Sequence, residues 1–399
     1  MRVAMLAPEN SPSWGGVGSY IYNLVKHLPS NVEVHIITLD RDVEDTYEKL
    51  FAGDERIHIH KILSVSSNEI FFTNLRFQVA VFRKLKKLHN LYHFDLIHSH
   101  SGHLPHFFSQ FQNIAPTIVT PHGETKGAAK VWKEARNRNI TESLSLFLSP
   151  IIEFGTKVSL KRADRLLPVS RFVLEQINKE YGLDIDYKAR VVYNGVDTNF
   201  FIPQDKVMPQ RPVITFVGRF YAIKGFDVFV DATAILMRRG YSVKLLLVGR
   251  GDTKQVGKLL LPLPKDSYTL VGRVKYHDMP EIYRQSDIVV TPSRYEACPG
   301  VIMEAMSCGK IVIASAVGGI TEIIDDGYNG LLFQSENVEE LAGKIAAVID
   351  KQVDIEKMRR NTRKTVVNKF DWRVMAKEVY EEYSKMIGDG WQNANSDNN

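Results

Sequence analysis

The chain has 399 residues, 44% of them hydrophobic and 24% charged, with a formal net charge of +5. That length exceeds one ordinary core and suits two domains, and the composition excludes disordered, collagen-like and disulfide-rich classes. So mild a charge gives no ground for a nucleic-acid partner. The cysteines Cys298 and Cys308 sit in one motif with neither a disulfide framework nor zinc spacing, so a reducing, cytoplasmic location is expected.

The first strand is read at 2–7, with no charged region and cleavable apolar core ahead of it. Behind it, Pro12-Ser13-Trp14-Gly15-Gly16-Val17-Gly18-Ser19 opens an amphipathic helix from Tyr20 to Leu28. Glycines let backbone approach a phosphate or sugar closely, and a helix start supplies N–H groups and positive potential. Ile21 stands where a dinucleotide fingerprint needs its third glycine, so that motif is excluded. Strands follow at 32–38 and 56–60. Next comes Leu75 to Tyr92, with Arg76, Arg83, Lys84, Lys86 and Lys87, no acidic residue, and Leu75, Val79, Phe82, Leu85 and Leu88 at helical spacing. Two readings stay open there: a core-facing helix with a solvated cationic side, or a helix lying on an anionic membrane. A second basic run, Lys126 to Arg138, adds modest support to the latter.

Strands are read next at 95–99, 117–120 and 165–169. His98, His100, His103 and His106 cluster around the first of these, but the run looks like a strand end and loop, and a metal site there is rejected. Thr120-Pro121-His122-Gly123 ends the second. Asp40-Arg41-Asp42 and Asp184-Ile185-Asp186 match a metal-binding Asp-x-Asp pattern, which arises cheaply by chance in polar loops. No window approaches the roughly 20 apolar residues a spanning helix needs; the best, Ser143 to Phe154, is broken by Pro150 and Glu153.

Phe200 to Pro212 is polar and punctuated by Pro203, Pro209 and Pro212, as expected of a hinge. A second series of strands follows at 213–217, 243–248, 268–271, 287–291, 311–315 and 330–333. Apolar strands alternating with helices in two series predict two doubly wound parallel sheets, with ligands at the carboxyl ends of the strands. Gly218-Arg219 and Lys224-Gly225 follow the first strand of the second series. Two cations five apart at such a place can clamp a diphosphate. Val248-Gly249-Arg250-Gly251 and Val271-Gly272-Arg273-Val274 follow the next two.

The most informative segment is Pro292-Ser293-Arg294-Tyr295-Glu296-Ala297-Cys298-Pro299-Gly300-Val301-Ile302-Met303-Glu304. It reads as a strand end, a tight turn and a helix opening. Such a turn presents free N–H groups to an anion. Glu296 in the loop and Glu304 one helical turn in offer carboxylates to hydroxyl-rich ligands. Together these suit a sugar, a ribose and a phosphate.

The paired-glutamate segment resembles the signature of retaining GT-B glycosyltransferases of the large family-four type (group 1). The likeness recurs in order from Met1 to about Met386, at Gly15-Gly16, His122, Asn194-Gly195-Val196-Asp197, Gly218-Arg219, Lys224-Gly225, Glu296, Glu304 and Gly318-Gly319. It implies α/β GT-B architecture, with two Rossmann-like domains facing across a cleft. The expected bounds are 1–200 on the acceptor side and 201–371 on the nucleotide-sugar side. A helix at 372–388 would cross back to the first domain, and a disordered tail would occupy 389–399.

The resemblance also implies roles. Arg219 and Lys224 would stabilise the departing nucleoside diphosphate, with N–H donors from Gly16 and from Gly300 and Val301. Glu296 would orient the donor sugar, Glu304 the ribose, and His122 the sugar from the other domain. Gly15 and Gly218 would line the donor, and Arg273 and Val274 the nucleobase. The implied reaction moves a sugar to an acceptor hydroxyl (lipid-linked, glycan or small-molecule), retaining configuration, without metal or cofactor. A sugar-nucleotide epimerase of the same architecture and a non-catalytic nucleotide-sugar binder stay open beside it. One departure stands out: Pro299 occupies a position where many relatives have glycine, which leaves the identity of the sugar open.

Overall fold

The computed structural model describes residues 1–13, 15–65, 73–100, 113–123, 153–204 and 207–388. His103, His106, the run Lys126 to Arg138 and the tail after Gly388 therefore lie outside the described residues. Among the described residues, twelve strands form two six-stranded sheets, ordered β3-β2-β1-β4-β5-β6 and β12-β11-β10-β7-β8-β9. Every strand pairing within the sheets is parallel. The two orders are the same, so each half is a doubly wound unit. Its strand order reverses at one place, between β1 and β4 in one sheet and between β7 and β10 in the other.

In the first unit the strands are β1 (Arg2–Ala7), β2 (Glu33–Asp40), β3 (Ile57–Ser64), β4 (Leu96–His100), β5 (Thr117–Thr120) and β6 (Arg165–Leu166). β1 and β4 are buried almost throughout, as expected of central parallel strands covered on both faces. The expected strand at 165–169 shrinks to two residues because Pro168, lacking an N–H, cannot continue the ladder. The first helix starts at Gly16, four residues ahead of the expected Tyr20, and runs to His27. The helix Trp372–Gly388 packs into this unit. The Tyr383 hydroxyl lies 2.6 Å from His98 Nδ1, and the buried Glu382 carboxylate takes Arg165 at 2.6 Å and Arg190 at 2.8 Å. Burial alone would raise the Glu382 pKa; Lys385, Arg190 and Arg165 together hold it at about 2.

In the second unit the strands are β7 (Val213–Val217), β8 (Lys244–Val248), β9 (Tyr268–Val271), β10 (Ile288–Thr291), β11 (Ile311–Ser315) and β12 (Leu331–Phe333). Its core joins these strands to the helices Phe226–Arg238 and Val338–Ile349, with Phe216, Phe220, Phe226 and Phe229 packed ring against ring. This unit begins at Asn194 and ends at Trp372, so the division falls ahead of the Phe200–Pro212 stretch. The physical reason is local. Val196 bridges Asp371 in parallel, Arg363 donates to the carbonyls of Thr198 and Phe201, and the Trp372 ring closes on Gly195.

Candidate active site

The carboxyl ends of β7 and β10 meet at the switch point of the second sheet, and three glycines set the loops there. Gly249, after β8, has φ +148°, and a Cβ on it would fall 1.8 Å from the Gly218 carbonyl oxygen. Gly218 itself has φ +153°. The loop then makes one 3-10 turn, Ala222–Lys224, and leaves it through Gly225 at φ +65°. A Cβ on Gly225 would lie 1.8 Å from the Pro292 carbonyl oxygen, so only glycine lets the β7 and β10 loops pass this closely.

That approach joins residues 72 positions apart. Lys224 Nζ lies 2.6 Å from Glu296 Oε1, and Ser293 Oγ donates to the same oxygen at 2.7 Å. The Gly319 N–H donates to the Glu296 carbonyl at 3.0 Å, fixing the loop behind it. Glu296 is buried and Lys224 partly exposed, so the pair stands at the edge of solvent rather than in the core.

A residue that sequence reasoning passed over holds this arrangement. Arg294 donates its own N–H to the Ile223 carbonyl at 2.9 Å, bonds both Asp227 oxygens at 2.8 Å and reaches Glu336 at 2.9 Å. The bidentate Asp227 pair outweighs the cost of burial and raises its pKa. Arg294 thus pins the Lys224 loop to the Glu296 loop. Replacing it with Lys, which lacks the planar fork that pairs with both Asp227 oxygens while reaching Glu336, is expected to lower kcat by up to about a hundredfold through misplacement. The Km for donor and the fold would change less; steady-state rates with a circular-dichroism control check this.

Behind Pro299 runs the helix Gly300–Ser307. No side chain among the described residues caps its start, which leaves the first N–H groups available to an anion. Glu304 sits on its inner turn, where its carboxylate accepts the Tyr283 hydroxyl at 2.7 Å. Burial pushes the Glu304 carboxyl up to about 7, and the Tyr283 hydrogen bond pulls part of the way back. A carboxyl raised in the folded state stabilises the fold when protonated, and that contribution fades as pH climbs from its ordinary value toward 7. Ligand hydroxyls favour the charged form, so donor affinity is expected to weaken as pH falls below about 7. Glu304→Gln should flatten that dependence, which titration calorimetry across the range would read.

The remaining expected donor residues are spread over the sheet. Arg219 stands one residue past Gly218, its guanidinium 6.0 Å from the Tyr221 ring centre. Arg273 and Val274 follow β9, the edge strand two places from β7. Cys298 and Cys308 are buried free thiols whose pKa burial pushes up to about 12, so neither is a nucleophile at neutral pH. Asn194, of the expected Asn-Gly-Val-Asp motif, donates to the Cys298 carbonyl at 2.6 Å.

In the first unit, the switch point holds the glycine loop and the histidines. Gly15 is the N-cap of its helix, and the Glu9 carboxylate receives the Gly18 N–H at 2.5 Å. A Cβ on Gly15 would lie 2.7 Å from that carboxylate, and one on Gly18 would lie 2.2 Å from the Ser11 carbonyl oxygen. Gly16 has open space around it. Sequence reasoning missed Glu9; its only signal was an acid directly ahead of the glycine loop. His122, half-buried after β5, meets His100 Nδ1 at 3.1 Å through its Nε2 and lies edge-on to Tyr20, 4.8 Å between centroids. His98 is tied up by Tyr383 and Thr120, and burial holds it at about 3, so it is a neutral structural ring. Of the Asp-x-Asp pairs, Asp40 accepts from Ser64 and Lys61, and Asp186 from Asn178.

The basic helix spans Thr73–Tyr92. Phe77, Val81 and Leu85 are buried, while Arg76, Arg83, Lys84, Lys86 and Lys87 are exposed, so one face serves the core and the other is solvated. Phe82 and Leu91 are also exposed. No helix among the described residues is long and apolar enough to cross a membrane.

Two family models match the chain: glycosyl transferases group 1 over residues 198–365, and glycosyltransferase family 4 over 14–200. An uncharacterized glycosyltransferase of Methanocaldococcus jannaschii is 28% identical over 381 residues, covering 94% of this chain and 96% of its own. Among solved structures, a sucrose-phosphate synthase from Thermosynechococcus elongatus superposes with a TM-score of 0.78 at 21% identity, over 98% of this chain and 100% of the other. The Anabaena protein HepE in complex with UDP and glucose gives a TM-score of 0.73 at 19% identity, over 96% and 100%.

Proposed function

Because this chain belongs to the group 1 glycosyltransferases of the family-four type, with the GT-B fold, we propose how its residues carry out sugar transfer from a nucleotide sugar. The observation that carries the reading is the Lys224–Glu296 contact at the switch point of the second sheet. An ammonium has three donors, and Glu296 takes one, which aims the cation without spending it. In our reading, Lys224 and Arg219 take up the charge that develops on the diphosphate as the bond to the anomeric carbon breaks. The N–H groups of Gly300 and Val301 add to that field.

Glu296 holds donor-sugar hydroxyls on the remaining lone pairs of its carboxylate, and Glu304 holds ribose hydroxyls. Arg273 and Val274 take the nucleobase, and Gly15, Gly16 and His122 keep the sugar- and phosphate-binding roles that the family resemblance implies. No pair of carboxylates is assigned as nucleophile and acid. Instead the departing phosphate oxygen accepts the proton of the acceptor hydroxyl as that hydroxyl attacks from the same face, with retention. Lys224 and Arg219 supply the charge that a metal would otherwise bring, so we propose transfer that needs none. The UDP and UDP-glucose bound in HepE structures support a nucleoside-diphosphate-sugar donor.

The test offers UDP-, GDP- and ADP-hexoses with candidate acceptors, with and without EDTA. Diphosphate release, label in a larger product and the anomeric proton coupling are followed. Acceptor-dependent transfer with retention, unaffected by EDTA, is expected. Epimerised donor without a larger product would point to an epimerase, and binding without turnover to a non-catalytic protein.

For a lipid-linked acceptor, we assign the exposed cationic side of Thr73–Tyr92, with Phe82 and Leu91, as the surface that meets an anionic membrane on the cytoplasmic face. The protein should then float with anionic liposomes at low salt and stay behind with neutral ones.

A further inference from the structure

At the amino end of the first sheet, away from the carboxyl-end loops described above, β2 and β3 place imidazoles side by side. Parallel pairing sets His35 opposite His58, and the alternation of a strand brings Glu33, two residues before His35, to the same face. Glu33 Oε1 lies 3.1 Å from His35 Nε2 and 3.1 Å from His58 Nε2. All three atoms fall within 4.8 Å of one another, and this is the one such grouping of at least three metal-ligand side chains among the described residues.

We propose that Glu33, His35 and His58 form a binding site for a divalent late first-row ion of the zinc class, separate from the sugar-transfer site. Bond lengths of about 2.0–2.2 Å to nitrogen and carboxylate oxygen in tetrahedral geometry put neighbouring ligand atoms roughly 3.3 Å apart. The two 3.1 Å separations already match that edge. Two imidazoles and one carboxylate are borderline ligands that select zinc, cobalt or nickel over magnesium or calcium.

The surroundings are those of a supported site. His35 Nδ1 lies 2.9 Å from His60 Nε2, so the buried ring has a partner at the nitrogen that does not face Glu33. Arg2 Nε bonds the other Glu33 oxygen at 3.1 Å and orients the carboxylate. The His35 ring stacks on His58 and His60 and lies against Tyr92 and Phe94, which fix its plane. His58 and Glu33 retain side-chain exposures of 40% and 34%, which gives the ion an entry path and leaves room for a water as fourth ligand.

The full chain, stripped with EDTA, dialysed and free of any purification tag, should take up Zn2+ with a stoichiometry of one by calorimetry. Co2+ in its place should show the visible bands of a low-coordinate nitrogen–oxygen site. His58→Ala should lower Zn2+ affinity at least a hundredfold, Glu33→Gln should do so while keeping side-chain volume, and His60→Ala should cost about 10–100-fold. Sugar transfer should be unchanged in His58→Ala. Absence of stoichiometric uptake by the folded wild type, or equal Zn2+ affinity in the wild type, His58→Ala and Glu33→Gln, would overturn the site and leave a plain hydrogen-bonded histidine network.

Discussion

Replacing Lys224 with Ala should lower kcat by about two to three orders of magnitude, the loss of about 2.7–4 kcal/mol seen when one preorganised charge-stabilising donor is removed. The ammonium is 2.6 Å from Glu296 Oε1 before any donor arrives, so its position is fixed in advance. That fixing is what makes the loss large, because no reorganisation is needed as the diphosphate departs. Lys224→Arg keeps the charge but not the compact point donor, and should fall between the wild type and Ala. Glu296→Gln should also be slow, for a different reason: the amide cannot accept as many sugar hydroxyls, and its N–H2 meets the ammonium. Pre-steady-state turnover with the identified donor measures all three, with near-wild-type rates in both Lys224→Ala and Glu296→Gln as the contrary result.

Gly225→Ala is expected to destabilise the second unit strongly. It places a Cβ 1.8 Å from the Pro292 carbonyl oxygen, a backbone atom that cannot swing aside. It also forces a side chain to φ +65°. The left-handed backbone alone costs about 1–3 kcal/mol, and the clash adds to it, for a total of about 3 kcal/mol or more. At about 2–4 °C per kcal/mol for a unit of this size, melting should shift clearly. Gly240→Ala is the control: its φ is +88°, yet a Cβ there meets nothing within 4 Å. The difference between the two melting shifts isolates the close approach of the β7 and β10 loops. Equal shifts would mean that approach carries no weight.

The strand segments were legible because central parallel strands, covered on both faces, read as unbroken apolar runs such as Ile311–Ser315. Their ends were less so. Pro168 cut one short, and β3 continued to Ser64 through a register shift opposite Thr38 and Leu39 that no local pattern announces. At the site, the sequence names Lys224 and Glu296 as members of two motifs but gives no contact between them. That contact depends on Gly225 fitting under the carbonyl of Pro292, far away in the sequence, which is tertiary information. Arg294 was hidden for a related reason. A charged residue in a loop looks like any solvated side chain until Asp227, Glu336 and the Ile223 carbonyl are seen around it. Among the histidines, spacing alone could not separate His98, bonded on both nitrogens, from His122 beside it. The Glu33–His35–His58 grouping spans two strands, and only their parallel register brings it together.

The most direct test of the central claim is thermal unfolding of the wild type and of Lys224→Ala with UDP, GDP and ADP in turn, each with EDTA. At about 100 times its dissociation constant a ligand bound only to the folded state adds about 2.7 kcal/mol. One nucleotide should raise the wild-type melting temperature in the presence of EDTA, and the variant should lose most of that rise. An equal rise in both proteins would remove Lys224 from the diphosphate site, and no rise with any nucleotide would contradict the donor site itself.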